Sequence, residues 1–249
     1  GAKMGKKYII ILFFLGIFMK MNLNTADFII IGHRGAAGIA PENTLSSFAK
    51  ALEYGVDMVE LDVHKCKSGE IVVIHDDTVD KTTNGNGKIK NLTLNELKQL
   101  DAGDGEIIPT LKEVLDFIKA RCVIDIELKG RNTAQPVAEI IEQYVKAKKY
   151  SYNDFWVTSF DAKEINKFHK IMPQVTASSL SNMCNVDLDS LISPYLLINK
   201  DCVTSDLIND AHKKGVLVFV YTAKNAKEME DFKKFGADGV FTDYPNLVK

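Results

Sequence analysis

The chain has 249 residues, 46% of them hydrophobic and 26% charged, which is enough to bury a large core within a single domain. Its formal net charge of −2 excludes a protein whose affinity comes from neutralising a nucleic-acid backbone, because that requires a basic surface. A small anionic ligand held by a few placed cations is compatible with that balance.

At the N-terminus, Lys6 and Lys7 precede the apolar run Tyr8–Met19, Lys20 closes it, and polar Asn22–Ala26 follows. That order is the anatomy of a secretory signal peptide over residues 1–26, with Gly1–Lys3 reading as a cloning remnant ahead of Met4. An uncleaved N-terminal anchor is the alternative. The expectation is an exported protein, periplasmic or extracellular, whose membrane contact is confined to this segment. Cys66, Cys122, Cys184 and Cys202 show no metal-type spacing and read as free thiols, with disulfides left open by an exported location. No feature of the sequence speaks for an oligomeric state.

From Phe28 onward short β-branched runs alternate with amphipathic stretches, the rhythm of a parallel sheet with helical crossovers. Strands are predicted over Phe28–His33, Met58–Val63, Val123–Leu128, Phe155–Ser159, Gln174–Ser178, Tyr195–Asn199, Leu217–Tyr221 and Gly239–Thr242. Helices are predicted over Thr44–Tyr54, Leu111–Ala120, Ala134–Lys148, Ala162–Ile171, Ser205–Lys214 and Ala226–Phe235. This pattern predicts a TIM-type (β/α)₈ barrel over residues 27–249, with an open doubly wound sheet as the alternative. The connection from Val63 to Thr110 is too long for a loop and predicts an insertion over about residues 64–109, a small cap above the barrel mouth. It contains an extra strand, Ile71–His75, a turn at Asn84–Gly87, and a helix start where Thr93 and Glu96 stand in capping-box positions.

Chemistry-bearing residues gather at predicted strand ends. Glu60 and Asp62 are two apart in one strand, so both carboxylates share a face, while Val59, Leu61 and Val63 occupy the other. Asp125, Glu127 and Lys129 share a face in the same way. Carboxylates crowded into a barrel mouth repel unless a cation compensates, and an oxygen-only donor set favours one hard divalent ion, Mg²⁺ or Ca²⁺. His33 and His75 each close a strand, where a pair of imidazoles can divide acid and base roles. Arg34 and Lys129 offer charge to a phosphate. His64 shares the face of Glu60 and Asp62, whereas His169 and His212 fall on helices and read as surface residues. Asn43 is placed to cap the helix near Thr44, with Glu42 orienting the turn.

The ordered runs Gly32-His33-Arg34-Gly35, Pro41-Glu42-Asn43-Thr44, Glu60-Leu61-Asp62-Val63, Val72-Val73-Ile74-His75-Asp76, Ile126-Glu127-Leu128-Lys129, Ser159-Phe160 and Asp238–Asp243 with Pro245 resemble the glycerophosphodiester phosphodiesterases. The resemblance spans Phe28 to Pro245. It implies a barrel enzyme hydrolysing deacylated phospholipid head groups, a small-molecule substrate, to glycerol 3-phosphate and an alcohol. It further implies His33 and His75 as acid and base, Glu60, Asp62 and Glu127 as metal ligands, and Arg34 and Lys129 as phosphate contacts. Tyr221-Thr222-Ala223-Lys224 departs from the family's usual tryptophan, threonine, valine, asparagine block; Tyr221 can still stack on a glycerol face, while Lys224 alters the pocket's polarity. Cys66 and Ser68 also depart from the family's pattern. Water and a neighbouring glycerol hydroxyl both stand as the attacking group. A phospholipase D-like or phosphoinositide-specific lipase, or a non-catalytic phosphodiester-binding barrel, are the alternatives.

Overall fold

The computed structural model describes residues 28–247, so the predicted leader lies outside the described residues. The β-branched runs form β1 (Ile29–Gly32), β2 (Met58–Lys65), β3 (Ile71–Val73), β4 (Val123–Leu128), β5 (Phe155–Ser159), β6 (Thr176–Ser181), β7 (Tyr195–Asn199), β8 (Leu217–Ala223) and β9 (Gly239–Thr242). All except β3 are parallel neighbours in chain order, and β1 pairs with both β2 and β9, which closes the sheet into an eight-stranded barrel. The open-sheet alternative is thereby excluded. β3 lies antiparallel on the distal half of β2, with Val63 opposite Val73.

Helices α1 (Leu45–Glu53), α2 (Leu94–Leu97), α3 (Leu111–Ile118), α4 (Ala134–Lys146), α5 (Ala162–Ile171), α6 (Ser205–Lys213) and α7 (Ala226–Phe235) follow the predicted boundaries to within a few residues. Thr93 and Glu96 form the expected capping box, and Thr110 and Glu113 form a second. α4 is capped from a neighbour instead, since Glu164 of α5 accepts from the Asn132 and Ala134 amides at 2.9 and 3.1 Å.

One unit departs from the regular alternation. Between β6 and β7 the described chain has only the short 3₁₀ turn Leu188–Ser190. Asn, Asp and Ser side chains there compete with helical backbone bonds, as where Asp187 accepts from the Asp189 amide at 3.0 Å, and Pro194 ends the segment. Cys184 and Cys202 form a disulfide across it, which corrects the expectation of free thiols; Cys66 and Cys122 remain free.

Strand alternation sorts the side chains into two apolar layers. Val59, Leu61, Val63, Ile124, Ile126 and Leu128 face outward into the helices. Ile29, Ile31, Met58, Val123, Trp156, Leu197, Phe219 and Phe241 fill the barrel interior. Trp156 packs on Tyr195 and Phe219 with ring centroids 4.4 and 5.3 Å apart, making a dry floor below the polar strand ends. The insertion has its own cluster, including Val72, Ile74, Val79, Ile89, Leu97 and Ile108.

Phe219 is fully buried in that floor. Phe219→Ala is therefore expected to lower stability by about 3–5 kcal/mol, read from urea unfolding. A loss below about 1 kcal/mol would mean that the floor is not packed as described.

Candidate active site

The register of β2 against β4 sets Glu60 beside Asp125 and Asp62 beside Glu127. All four carboxylates are buried. One oxygen from each of Glu60, Asp62 and Glu127 lies within 4.8 Å of the other two, which is the convergence expected from the sequence. Oxygens on opposite sides of a hard cation with ligand distances near ~2.4 Å would be about that far apart.

Each acid is only partly satisfied by protein. Glu60 Oε2 accepts from the Arg34 amide at 2.8 Å. Asp62 Oδ2 accepts from Asn43 Nδ2 at 2.8 Å, and the Glu127 carboxylate pairs with Lys129 Nζ at 3.1 Å. Glu60 Oε1, Asp62 Oδ1 and Asp125 Oδ2 are buried with no hydrogen-bond partner. Unpartnered carboxylate oxygens in a dry site are costly unless a cation completes them. The oxygen-only set therefore fits a divalent ion.

The electrostatics agree. Burial, reinforced by Asp62, Glu127 and Asp125, pushes the Glu60 carboxyl well above the usual carboxylate range. Burial and Asp62 raise Glu127 to about 8 against the pull of Lys129, and burial raises Asp125 to about 7. For Asp62, burial acts in the same sense, but Arg34, His75, Asn43 and Lys129 together hold it below the ordinary value.

Arg34, read in the sequence as a phosphate clamp, lines the cavity with its guanidinium beside two acids. Its Nη1 donates to Glu42 at 2.8 Å and its Nε lies 3.4 Å from Asp62 Oδ2, an ion pair without hydrogen-bond alignment. The helix-cap reading of Asn43 is corrected. Thr44 caps α1, while Asn43, at a positive φ of 60°, turns inward to bind both the carboxylate and the amide of Asp62. The loop reaches this position because Gly35, at φ 85°, presses against α1, where a Cβ would lie 2.5 Å from Ser47 Oγ and 2.9 Å from the Phe48 amide.

The two histidines are built alike. His33 Nδ1 lies 2.6 Å from Asp243 Oδ1, and His75 Nδ1 lies 2.5 Å from Asp76 Oδ1. A carboxylate on Nδ1 selects the tautomer that leaves Nε2 free. Burial holds the His75 imidazole below its ordinary pKa. His64 does something else: its Nε2 donates to the His75 carbonyl oxygen at 3.0 Å, so it holds the backbone beside the site.

These residues border a cavity of about 190 Å³ lined by His33, Arg34, Glu60, His75, Glu127, Lys129 and Tyr221, with Asp62 buried behind them. One wall is charged. The other is formed by Phe160, Leu180, Tyr221 and Phe241, and the Tyr221 hydroxyl donates to the Ser181 carbonyl at 2.6 Å, leaving its ring to the cavity. Lys224 is outside the lining and acts at a distance, through its charge on Asp243. Reading the sequence assigns no role to Asp76, to Asp243, or to Thr158, whose hydroxyl donates to Asp125 Oδ1 at 2.9 Å. Only adjacency to His75 signalled the first, and Asp243 is 210 residues from His33.

The sequence model of the Glycerophosphoryl diester phosphodiesterase family matches residues 33–247. A glycerophosphodiester phosphodiesterase of Caldanaerobacter subterraneus is 35% identical over 245 residues, covering 89% of this chain and 98% of the relative. The structure of an Oleispira antarctica phosphodiesterase in complex with the product sn-glycerol-3-phosphate superposes with a TM-score of 0.78 at 30% identity, over 87% of this chain and 93% of that one. The Thermotoga maritima glycerophosphodiester phosphodiesterase gives a TM-score of 0.74 at 28% identity, over 90% and 98%. With the barrel and the acidic mouth already in place, the match across nearly all described residues shows that this chain belongs to the glycerophosphoryl diester phosphodiesterase family.

Proposed function

We propose that the chain hydrolyses glycerophosphodiesters to glycerol 3-phosphate and an alcohol, using one divalent ion, Mg²⁺ or Ca²⁺, and two histidines. The observation that carries this reading is the set of convergent, incompletely satisfied carboxylates of Glu60, Asp62 and Glu127, flanked by His33 and His75 in one cavity. Those three side chains would hold the ion. When bound, it supplies positive charge that neutralises the phosphate and the charge growing on its oxygens.

The protein's own groups do the rest. Lys129 adds charge toward the phosphate from beside Glu127, and Arg34, held in place by Glu42, is released from Asp62 when that carboxylate engages the ion. His75, whose imidazole burial biases toward the neutral form, suits removal of a proton from the attacking oxygen, and His33 suits protonation of the departing alkoxide. Asp76 and Asp243 orient the rings. Tyr221 and Phe160, packed edge to face at 5.9 Å, offer an apolar surface to the glycerol. The Cys184–Cys202 disulfide supports the expected export to an oxidising compartment, and the insertion over about residues 64–109 supplies His75 to the substrate side.

A second reading, a lysophospholipase D-type reaction, is favoured by one observation: Phe160 at the cavity and Met183 in the β6–β7 loop are 43% and 70% exposed. Release of glycerol phosphate from glycerophosphodiesters should cease on chelation and return with added Mg²⁺ or Ca²⁺; activity indifferent to chelator sinks the metal. Faster cleavage of a lysophospholipid in the same assay would favour the second reading.

His33→Ala and His75→Ala are each expected to lower kcat by roughly 10²–10⁴-fold with an unchanged circular dichroism spectrum. Near-normal turnover in either variant removes that histidine from the mechanism.

Asp125 and Glu127 have folded-state pKa values of about 7 and 8, above the ~4 of an unfolded carboxyl, so the native state binds more protons. Their contribution to stability is complete below ~pH 4 and is lost as pH rises through 7 to 8. In chelator, the urea midpoint is expected to fall between pH 5 and pH 9, and Glu127→Gln or excess divalent ion should flatten the fall. A midpoint that rises over that interval contradicts the assignment.

A further inference from the structure

A second hollow, of about 610 Å³, lies between the C-terminal end of β2, the β4–α4 loop and the insertion. Its lining includes His64, Lys65, Lys67, Lys90, Lys129 and Arg131. Lys129 is a wall of this hollow and of the catalytic cavity, so the two adjoin. The hydrogen bond from His64 to the His75 carbonyl also ties its floor to the backbone that presents His75.

Several cations from separate segments meet in this one concavity. Some exposed lysines elsewhere sit on acids, as Lys50 on Glu53, Lys149 on Asp116, Lys214 on Asp189 and Lys227 on Asp231. Lys65, Lys67, Lys90 and Arg131 make no ion pair among the described residues. The hollow's own acid, Asp77, lies 3.5 Å from Lys88, nearby Glu164 is committed to the α4 amides, and Glu96, which feels the charge of Lys67, is held by Thr93 in its capping box. In a chain of net charge −2, cations gathered on a concave wall without ion-pair partners focus positive potential and draw in an anion.

We propose that this hollow seats a further phosphoryl group carried by the alcohol half of the diester, so that the enzyme prefers glycerophosphodiesters whose leaving alcohol is itself phosphorylated. The inference rests on the reaction proposed for the adjoining cavity. Water's oxygen bonds to the scissile phosphorus, the bond from phosphorus to the alcohol oxygen breaks, and the alcohol departs with a proton and its own phosphate intact. A neutral or zwitterionic head group would leave these cations unused.

The test compares glycerophosphoglycerol with bis(glycerophospho)glycerol, which presents the same leaving glycerol bearing one more phosphate. The wild-type chain is expected to favour the latter by about tenfold in kcat/KM at low salt, a preference that fades as salt rises. The triple variant Lys67→Gln, Lys90→Gln, Arg131→Gln alters only exposed side chains and should lose the preference while glycerophosphoglycerol turnover stays within about twofold. Equal treatment of both substrates by the wild type, or an equal slowing of both by the variant, overturns the proposal. If the wild type cleaves neither, the proposed reaction fails, and calorimetric titration still decides the hollow. Binding of bis(glycerophospho)glycerol that weakens about tenfold in the variant supports it, and unchanged binding overturns it.

Discussion

The side-by-side register of β2 and β4 is the constraint on which the site depends. It forces four carboxylates into neighbouring positions inside a barrel, where water cannot screen them and like charges raise one another's proton affinity. The surrounding loops are arranged around that problem. The Arg34 amide, the Asn43 amide group and the Lys129 ammonium each take one acid, and none takes all the oxygens. Full neutralisation by protein would make a stable plug. Partial neutralisation makes a receptor for a cation, with phosphate chemistry beside it.

The barrel provides the dry surroundings that give those charges their strength. Its interior floor of Trp156, Phe219 and Met58 closes the site from below, and the outward-facing aliphatic residues of the same strands fix the register by packing on the helices. A one-residue slip of β2 would send Glu60 and Asp62 into the helical layer and bring Val59 and Leu61 to the mouth. The hydrophobic pattern that folds the chain is thus the same pattern that aims the acids.

Because of that coupling, much of the site is legible in the sequence. Strand alternation puts Glu60 with Asp62, and Asp125 with Glu127 and Lys129, on shared faces, His33 follows β1, and the resemblance to the family singles out the ligands and the histidine pair among them. What escapes a linear reading depends on long-range closure or on loop backbone. Asn43 has the residue type and spacing of a helix cap, yet its positive φ turns it onto Asp62. Asp243 meets His33 only because β9 pairs with β1. The absence of a helix between β6 and β7 reflects a segment whose interspersed Asn, Asp and Ser side chains prefer turns, and cysteine spacing does not disclose the disulfide there.

The pairing of β1 with β9 has a consequence for how the molecule comes into being. The first and last strands of the barrel are hydrogen-bonded neighbours over four residue pairs, and the imidazole of His33 receives its carboxylate from just beyond the last of them. During synthesis from the N-terminus, a nascent chain that has produced the four carboxylates of β2 and β4 and both histidines still lacks the seam that joins its two ends. Such a chain has the parts of a hydrolase without the enzyme, so catalytic competence is acquired late, with the final strand.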